Sequence, residues 1–386
     1  MLHHVYFSPG MFGFGRLASY DYFAHLERGV VQRLRARGGE VATWVLDVPP
    51  TASIKRRAAR FAELVASTCD EEGGPIHLVG HSTGGLDARL VASPDVLLGV
   101  PPESLAWLPR LASVTTLSTP HYGTPLATQF ATVSGQRLLY ALSALTFVAL
   151  SLGSPSLTAA SALVVAIGRL DRSVGLDLRV LDRVTDLLLR VLDDARSREV
   201  RAYLDAIRED QGAIIQLTPE AMELFQAGVQ DRPGVSYQCT ASMAPPPTPS
   251  AWARNLKSPW KVISGTIFAT LYGITSRLDE RYPCAAESAG DEAEATLARI
   301  FGRRPGARAN DGVVPIRSQL WGKLAWAGYA DHLDVLGHFD GGREQTGDAH
   351  VDWLASGAKF DTRGFEAMLD AIVAGMPDEA APLTPR

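Results

Sequence analysis

The stretch Ile76–Leu90, IHLVGHSTGGLDARL, constrains what this chain can fold into more than any other. Ile76, Leu78 and Val79 form a short apolar run, a Gly-rich turn follows, and Leu86, Ala88, Leu90 and Val91 continue in a helix-compatible pattern. A strand that feeds straight into a helix is the first half of a βαβ crossover, and such units build parallel sheets covered on both faces. The flanking sequence repeats the pattern. Val5–Ser8, Val41–Val48 and Ser113–Ser118 read as further strands. Tyr22–Arg37 carries Phe23, Leu26, Val30 and Leu34 at helical spacing and stops at Gly38-Gly39, while Ile54–Cys69 follows Ser53, a good N-cap. The expected fold class is therefore α/β, a mostly parallel central sheet with helices on both faces.

The texture changes near Ser134. Leu138–Gly168 contains no charged residue and is interrupted at Gly153–Ser156 by GSPS. A bilayer-spanning helix needs roughly 20 continuous apolar residues, which neither half supplies, so two helices burying an apolar face on the protein or at an interface are expected. Leu176–Asp210 is a charged amphipathic helix with Leu181, Val184, Leu188 and Leu192 on one face. Residues 134–210 thus read as a helical cap or lid inserted into a body made of residues 1–133 and 211–386. In the second part of the body, Val235–Ser242 reads as a strand and the Pro-rich run after it as a rigid loop. Trp252–Leu278 reads as a helical excursion, Ala286–Ala298 and Gly302–Ala309 as surface loops or a short helix, and Arg363–Ala374 as the last helix.

At 386 residues the chain has ample material for a large core. Its net charge of −5, with both signs mixed, lacks the basic footprint of a nucleic-acid binder. Cys69, Cys239 and Cys284 lie far apart, match no metal-ligand spacing, and by their odd number leave a thiol unpaired. The N-terminus MLHHVYFSPGMFGFG has no cationic segment followed by an apolar one and a small-residue cleavage site; together with the unpaired thiol this leads to an expected cytoplasmic location, a secreted mature form staying open.

Gly80-His81-Ser82-Thr83-Gly84 matches G-x-S-x-G, the sharp strand-to-helix turn that exposes a nucleophilic serine. Such a serine needs a base to take its proton and an acid to orient that base, in the chain order serine, acid, histidine. After Ser82 the histidines are His121, His332, His338 and His350. His121, in LSTPHYGTP, comes too early and reads as a loop residue beside the site. His332, in YADHLDVLG, follows the strand-like LAWAGY and stands shortly after NDGVVPIRSQLWG. Within that motif Asn310-Asp311-Gly312 is a turn, where Asp311 either holds the imidazole or only caps the turn, with Asp331 and Asp340 as fallback acids.

In sequence order, GHSTGG, STPHYGTP, LTPEAMELF, NDGVVPIRSQLWG and DHLDVLG resemble the bacterial triacylglycerol lipases of the α/β-hydrolase family, of the Pseudomonas and Burkholderia type. The resemblance covers residues 4–130 and 211–342. It implies a triad of Ser82, Asp311 and His332, the three that chain order also selects. It implies an oxyanion hole made by the backbone N–H groups of Thr83 and Met11. The family has a histidine where this chain has Pro9, which stiffens the loop and removes that histidine's hydrogen bond. It further implies a structural calcium site through Asp334, with Asp291 or Glu292 as an acidic partner. The family's glutamine ligand is His338 here, a poor donor to a hard cation, and no cofactor is required for the chemistry.

A serine, histidine and aspartate acting together fit esters, amides and thioesters. The uncharged helices of the cap, over Leu138–Gly168, suit a lipophilic ester or contact with a lipid–water interface. The expected activity is a lipase or esterase for lipophilic carboxylic esters such as acylglycerols. A non-catalytic lipid-binding relative and an acyltransferase using the same triad stay open.

Overall fold

The computed structural model describes residues 1–11, 16–17, 20–49, 51–69, 73–132, 135–136, 138–143, 186, 190, 194–248, 258–286, 290–341 and 352–380. At its centre lies a sheet of six strands: β1 (Leu2–Ser8), β2 (Glu40–Val45), β3 (Ile76–His81), β4 (Leu111–Leu117), β5 (Ser236–Met243) and β6 (Lys323–Tyr329). Their order is β2-β1-β3-β4-β5-β6, and every pairing is parallel. Every residue of β3 and β4 is buried, as the near-continuous apolar runs require of strands covered on both faces. The edge strands β2 and β6 are only partly covered.

Around the sheet stand the helices α1 (Ala24–Ala36), α2 (Ile54–Thr68), α3 (Thr83–Ala92), α4 (Pro125–Phe130), α5 (Asp194–Glu209), which falls in the expected cap, α6 (Gly212–Gln216), α7 (Pro219–Gly228), α8 (Pro259–Thr275), α9 (Asp291–Phe301) and α10 (Thr362–Ala374). Crossovers between parallel strands are right-handed, so the reversal of strand order after β2 places α1 and α2 on opposite faces. Accordingly α1 packs with α10, and α2 packs with α3. The Ser53 hydroxyl caps α2 by accepting from the N–H of Arg56 at 3.3 Å. The helical excursion expected over Trp252–Leu278 is α8, started by Ser258 as N-cap and Pro259 at its first position. Where loops or a short helix are expected, α9 forms an eleven-residue helix: Asp291, Glu292 and Glu294 favour its positive end, and Gly302 closes it with φ 71°.

Most of the expected cap, including residues 144–185 and the apolar positions Leu181, Val184, Leu188 and Leu192, lies outside the described residues. Of its described part, Leu138, Leu139, Ala141 and Leu142 are buried, and α5 presses Val200, Tyr203, Leu204 and Ile207 onto the main core. Among the described residues no helix is long and apolar enough to cross a membrane.

The strand order has a functional consequence. The chain leaves β1 towards β2 on one side and returns past it to β3 on the other. The loops that follow β1 and β3 therefore diverge over a crevice at the carboxyl ends of the strands, the usual place for a ligand in an open α/β sheet.

Candidate active site

Ser82 occupies that crevice. It closes β3 and immediately precedes α3, with φ 53° and ψ −125°, a strained conformation for a residue with a side chain. Its N–H donates to the carbonyl of Leu117 at 2.8 Å, which ties the turn to the neighbouring strand. The flanking glycines are required by close approach: a Cβ on Gly80 would lie 2.2 Å from the Gly84 carbonyl oxygen, and one on Gly84 would lie 2.0 Å from that of Ser8. Thr83 is the first residue of α3, where a backbone N–H has no partner within the helix.

The loop after β1 crosses directly against Ser82, since a Cβ on Gly10 would stand 2.8 Å from Cβ of Ser82. Met11 and Ser82 line one pocket together with Pro120, Thr124, Leu126, Ala127, Phe130, Leu217, Val313 and Val314. Counted together with its opening to solvent, its empty space is about 320 Å³, and its walls are mostly apolar.

His332 and Asp311 meet on the far side of the sheet's midline. Nδ1 of His332 donates to Oδ2 of Asp311 at 2.8 Å, and the His332 N–H donates to the Asp311 carbonyl at 3.1 Å. With its proton on Nδ1, the imidazole keeps Nε2 as an acceptor. The two readings of Asp311 prove compatible, because its oxygens divide the work. Oδ1 caps the turn, accepting from the N–H of Val313 at 2.9 Å and of Val314 at 2.7 Å, and Oδ2 faces His332. The fallback acids are engaged elsewhere. Asp331 accepts from the N–H of Leu333 and Asp334, and burial pushes its carboxyl up to about 7; Asp340 pairs with Lys261 on the surface.

His81, inside the serine motif, joins these segments. Its ring lies 4.7 Å from that of His332, centroid to centroid, and its Nε2 reaches the His332 carbonyl oxygen at 2.8 Å. Burial holds His81 well below the usual histidine range, so it is neutral. A carbonyl only accepts, so the proton sits on Nε2 of His81, and the hydroxyl of Tyr22 donates to Nδ1 at 2.7 Å. His121 is also buried and neutral, held between Arg89 at 3.1 Å and the Thr116 hydroxyl at 3.0 Å, which makes it a packing residue beside the site.

Pro9 does not leave its loop unanchored. Arg57 donates from Nη2 to the Pro9 carbonyl oxygen and, through Nε and Nη2, grips Asp87, which also accepts from the Ser8 hydroxyl at 2.7 Å. Burial pushes the Asp87 carboxyl up, against the pull of Arg57. Neither partner shows from local sequence reading, although Arg57 falls on the same helical face as Ile54, Ala58 and Phe61, and a charge on a buried stripe is a usable signal. The amide of Gln319, in SQLWG, is a further unforeseen neighbour of Asp311, at 3.3 Å from Oδ2.

The implied calcium ligands do not assemble. Asp334 uses Oδ2 to accept from the Asp331 N–H at 2.8 Å, Asp291 and Glu292 stand exposed at the start of α9, and His338 packs its ring against His25. Among the described residues no group of three or more histidine, cysteine, aspartate or glutamate side chains is placed to hold a metal ion. The residues present do not fit the group, and Asp334 serves to fix the loop that carries His332.

No family model matches the chain. It is 38% identical over 94 residues to a triacylglycerol lipase of Vibrio cholerae, covering 24% of this chain and 28% of that protein. It is 33% identical over 122 residues to a triacylglycerol lipase of Pseudomonas fragi, covering 31% and 34%. These matches span about a third of the curated relatives' length. Among solved structures, EstA from Clostridium botulinum superposes with a TM-score of 0.51 at 18% identity, covering 98% of this chain and 88% of that one. Staphylococcus hyicus lipase superposes at 0.50 and 16%, covering 96% and 94%. Such identities speak to fold alone, and the fold is that of the α/β-hydrolases.

Proposed function

We propose that this α/β-hydrolase chain is a serine carboxylic-ester hydrolase acting on lipophilic esters, acylglycerols included, through an acyl-enzyme on Ser82. One observation carries the reading: a strained serine at a strand-to-helix turn shares an apolar pocket with the Asp311 loop, whose carboxylate holds the Nδ1 proton of His332. The partial likeness to two triacylglycerol lipases supports the choice of ester over amide.

In this mechanism Ser82 Oγ attacks the ester carbonyl carbon while Nε2 of His332 takes the hydroxyl proton. The N–H groups of Met11 and Thr83 stabilise the tetrahedral oxyanion, and Arg57 holds the first of these loops through the Pro9 carbonyl. The carbon–oxygen bond to the alcohol breaks, and His332 returns the proton to the departing oxygen. Water then enters by the same route: His332 takes its proton, hydroxide adds to the acyl carbon, and the carboxylic acid leaves as Ser82 is regenerated. Asp311 stays ionised throughout and stabilises the imidazolium. The apolar walls of the pocket exclude water from the acyl chain and favour a lipophilic substrate.

The test is hydrolysis of p-nitrophenyl esters from acetate to palmitate by the wild type beside Ser82→Ala. Activity that vanishes in the variant supports the assignment, and the chain-length profile separates esterase from lipase. Activity that persists in Ser82→Ala would remove Ser82 as nucleophile. Binding of a fatty acid without turnover of any ester would favour a lipid-binding protein instead.

A further inference from the structure

We propose that Gln319, together with Ser242 and Ser118, is a clamp that presents Asp311 to His332, which makes Gln319 a positioning residue of the reaction; the inference rests on the ester-hydrolase reading above. The three side chains are wholly buried, so each polar group must find a partner inside the protein.

The clamp begins where a strand ends. β4 pairs with β5 only as far as Leu117 opposite Thr240, whereas β6 continues alongside β5 to Met243. Beyond Thr240 the side of β5 that faced β4 is open, and the backbone of Ser242 points into the gap. The Gln319 side chain fills it. Oε1 accepts from the Ser242 N–H at 2.7 Å, and Nε2 donates to the Ser242 carbonyl at 3.0 Å. Because Oε1 must accept from that N–H, the orientation of the amide is fixed, and Nε2 is turned towards the Val314 carbonyl at 3.1 Å and Oδ2 of Asp311 at 3.3 Å. One amide thus joins the end of β5 to the turn that carries the acid.

Hydroxyls complete the arrangement. Ser118, just past β4, has φ 46°, a left-handed backbone that is strained for serine. This conformation brings its Oγ to 3.0 Å from Oγ of Ser242, which in turn stands 3.5 Å from Oδ2 of Asp311. Since Asp311 can only accept while ionised, Ser242 donates to it and Ser118 donates to Ser242. Oδ1 is already held by Val313 and Val314. Oδ2 is the oxygen that must stay aimed at His332, and Gln319 and Ser242 are what flank it.

The test uses the full chain with Gln319→Met, which keeps length and volume but removes the amide, and Ser242→Ala, which spares the backbone that Gln319 grips. Four readouts are taken: thermal unfolding by circular dichroism, kcat and KM on p-nitrophenyl butyrate, the rate of labelling by a fluorophosphonate probe, and the low-field proton resonance of His332 Nδ1. The expected result for a folded Gln319→Met is kcat and labelling rate lowered about tenfold, the worth of a hydrogen bond to a charged group, with KM unchanged and the low-field resonance shifted. Ser242→Ala is expected to move the same readouts in the same direction by roughly threefold. Wild-type kcat and an unmoved resonance in folded Gln319→Met overturn the proposal. If that variant does not fold, wild-type behaviour of Ser242→Ala overturns it. Should the wild type neither hydrolyse esters nor label, the ester-hydrolase reading fails, while the resonance in the variants still decides whether the clamp holds Asp311 on His332.

Discussion

Removing Arg57 separates what the buried ion pair does for the fold from what it does for the site. Arg57 and Asp87 are both 0% exposed, and Arg57 grips the carboxylate through Nε at 2.9 and 3.1 Å and Nη2 at 2.7 Å. Arg57→Leu leaves Asp87 with the Ser8 hydroxyl as its remaining strong contact in the site, an uncompensated charge away from water. Breaking a buried pair by removing one partner costs about 3–5 kcal/mol. Urea unfolding followed by tryptophan fluorescence and circular dichroism at pH 7.5 measures it. The double variant Arg57→Leu/Asp87→Leu removes both charges, and apolar replacement of a buried pair is often neutral or better, so it should recover to within roughly 1–2 kcal/mol of the wild type. Its ester hydrolysis should stay low, because the Pro9 carbonyl has lost its donor and the Gly10–Met11 turn its anchor. A single variant within about 1 kcal/mol of the wild type would refute the energetic argument. A stable, fully active double variant would show that the pair does nothing for the oxyanion loop.

Asp311→Asn preserves the shape of the acid but removes its charge and disturbs the tautomer of His332, so kcat should fall by roughly 10⁴ with little change in KM, as stopped-flow and steady-state kinetics would show. Ser82→Gly should abolish hydrolysis yet raise stability by about 1 kcal/mol, since glycine adopts φ 53° without strain; a variant less stable than Ser82→Ala would contradict this. Ala127→Leu, in the pocket wall, should lower kcat/KM for the octanoate ester far more than for the acetate, and an unchanged chain-length profile would exclude this pocket as the acyl site. His77, at the other end of the sheet between His3 at 3.0 Å and Ser113 at 2.8 Å, is pushed down to about 3 by burial. It is neutral when folded and protonated when unfolded below pH 6.5, so its contribution is complete above that pH and lost as pH falls towards 3. The stability difference between wild type and His77→Gln should therefore shift by about 1.4 kcal/mol between pH 7.5 and 5.5, in favour of the variant at the lower pH.

What could be read from the sequence were features whose cause is local. A buried parallel strand is an apolar run, a helix face is a spacing of three and four, and the tight turn at Ser82 needs its glycines within two residues on either side. β3, α1 and α2 follow from such patterns nearly residue for residue, whereas β1 starts three residues before the expected Val5 and β4 two before the expected Ser113. The Asp311–His332 pairing came from chain order, a topological constraint rather than a pattern. The supports of the site were not legible, because they join residues far apart: Arg57 meets Asp87 and Pro9, Gln319 meets Ser242, and Tyr22 meets His81. No periodicity links such partners. What each leaves behind is a polar residue on a stretch that is otherwise apolar, as with Arg57 on the buried face of α2, Asp87 and Arg89 within α3, and His77 within β3. Helix α9 was hidden for a different reason, since its acidic first turn looks like a solvated loop until Leu297, Ile300 and Phe301 are read at helical spacing.

These supports also explain how the site can hold a serine in an unfavourable conformation. A strained residue costs on the order of 1–3 kcal/mol and persists only where its surroundings leave no alternative. At Ser82 three constraints meet. The N–H is held by Leu117 in the next strand, Gly80 and Gly84 bring the strand and the helix too close for the turn to relax, and His81 is fixed on one side by Tyr22 and on the other by the backbone of His332. Each partner belongs to a different strand or loop of the sheet's carboxyl end. The loops around the serine are fixed in the same way, by Arg57 on one side and Gln319 on the other. Geometry at the serine is thus set by the whole end of the sheet, and the buried polar groups there act as the struts that keep this strained arrangement from collapsing into a more comfortable one.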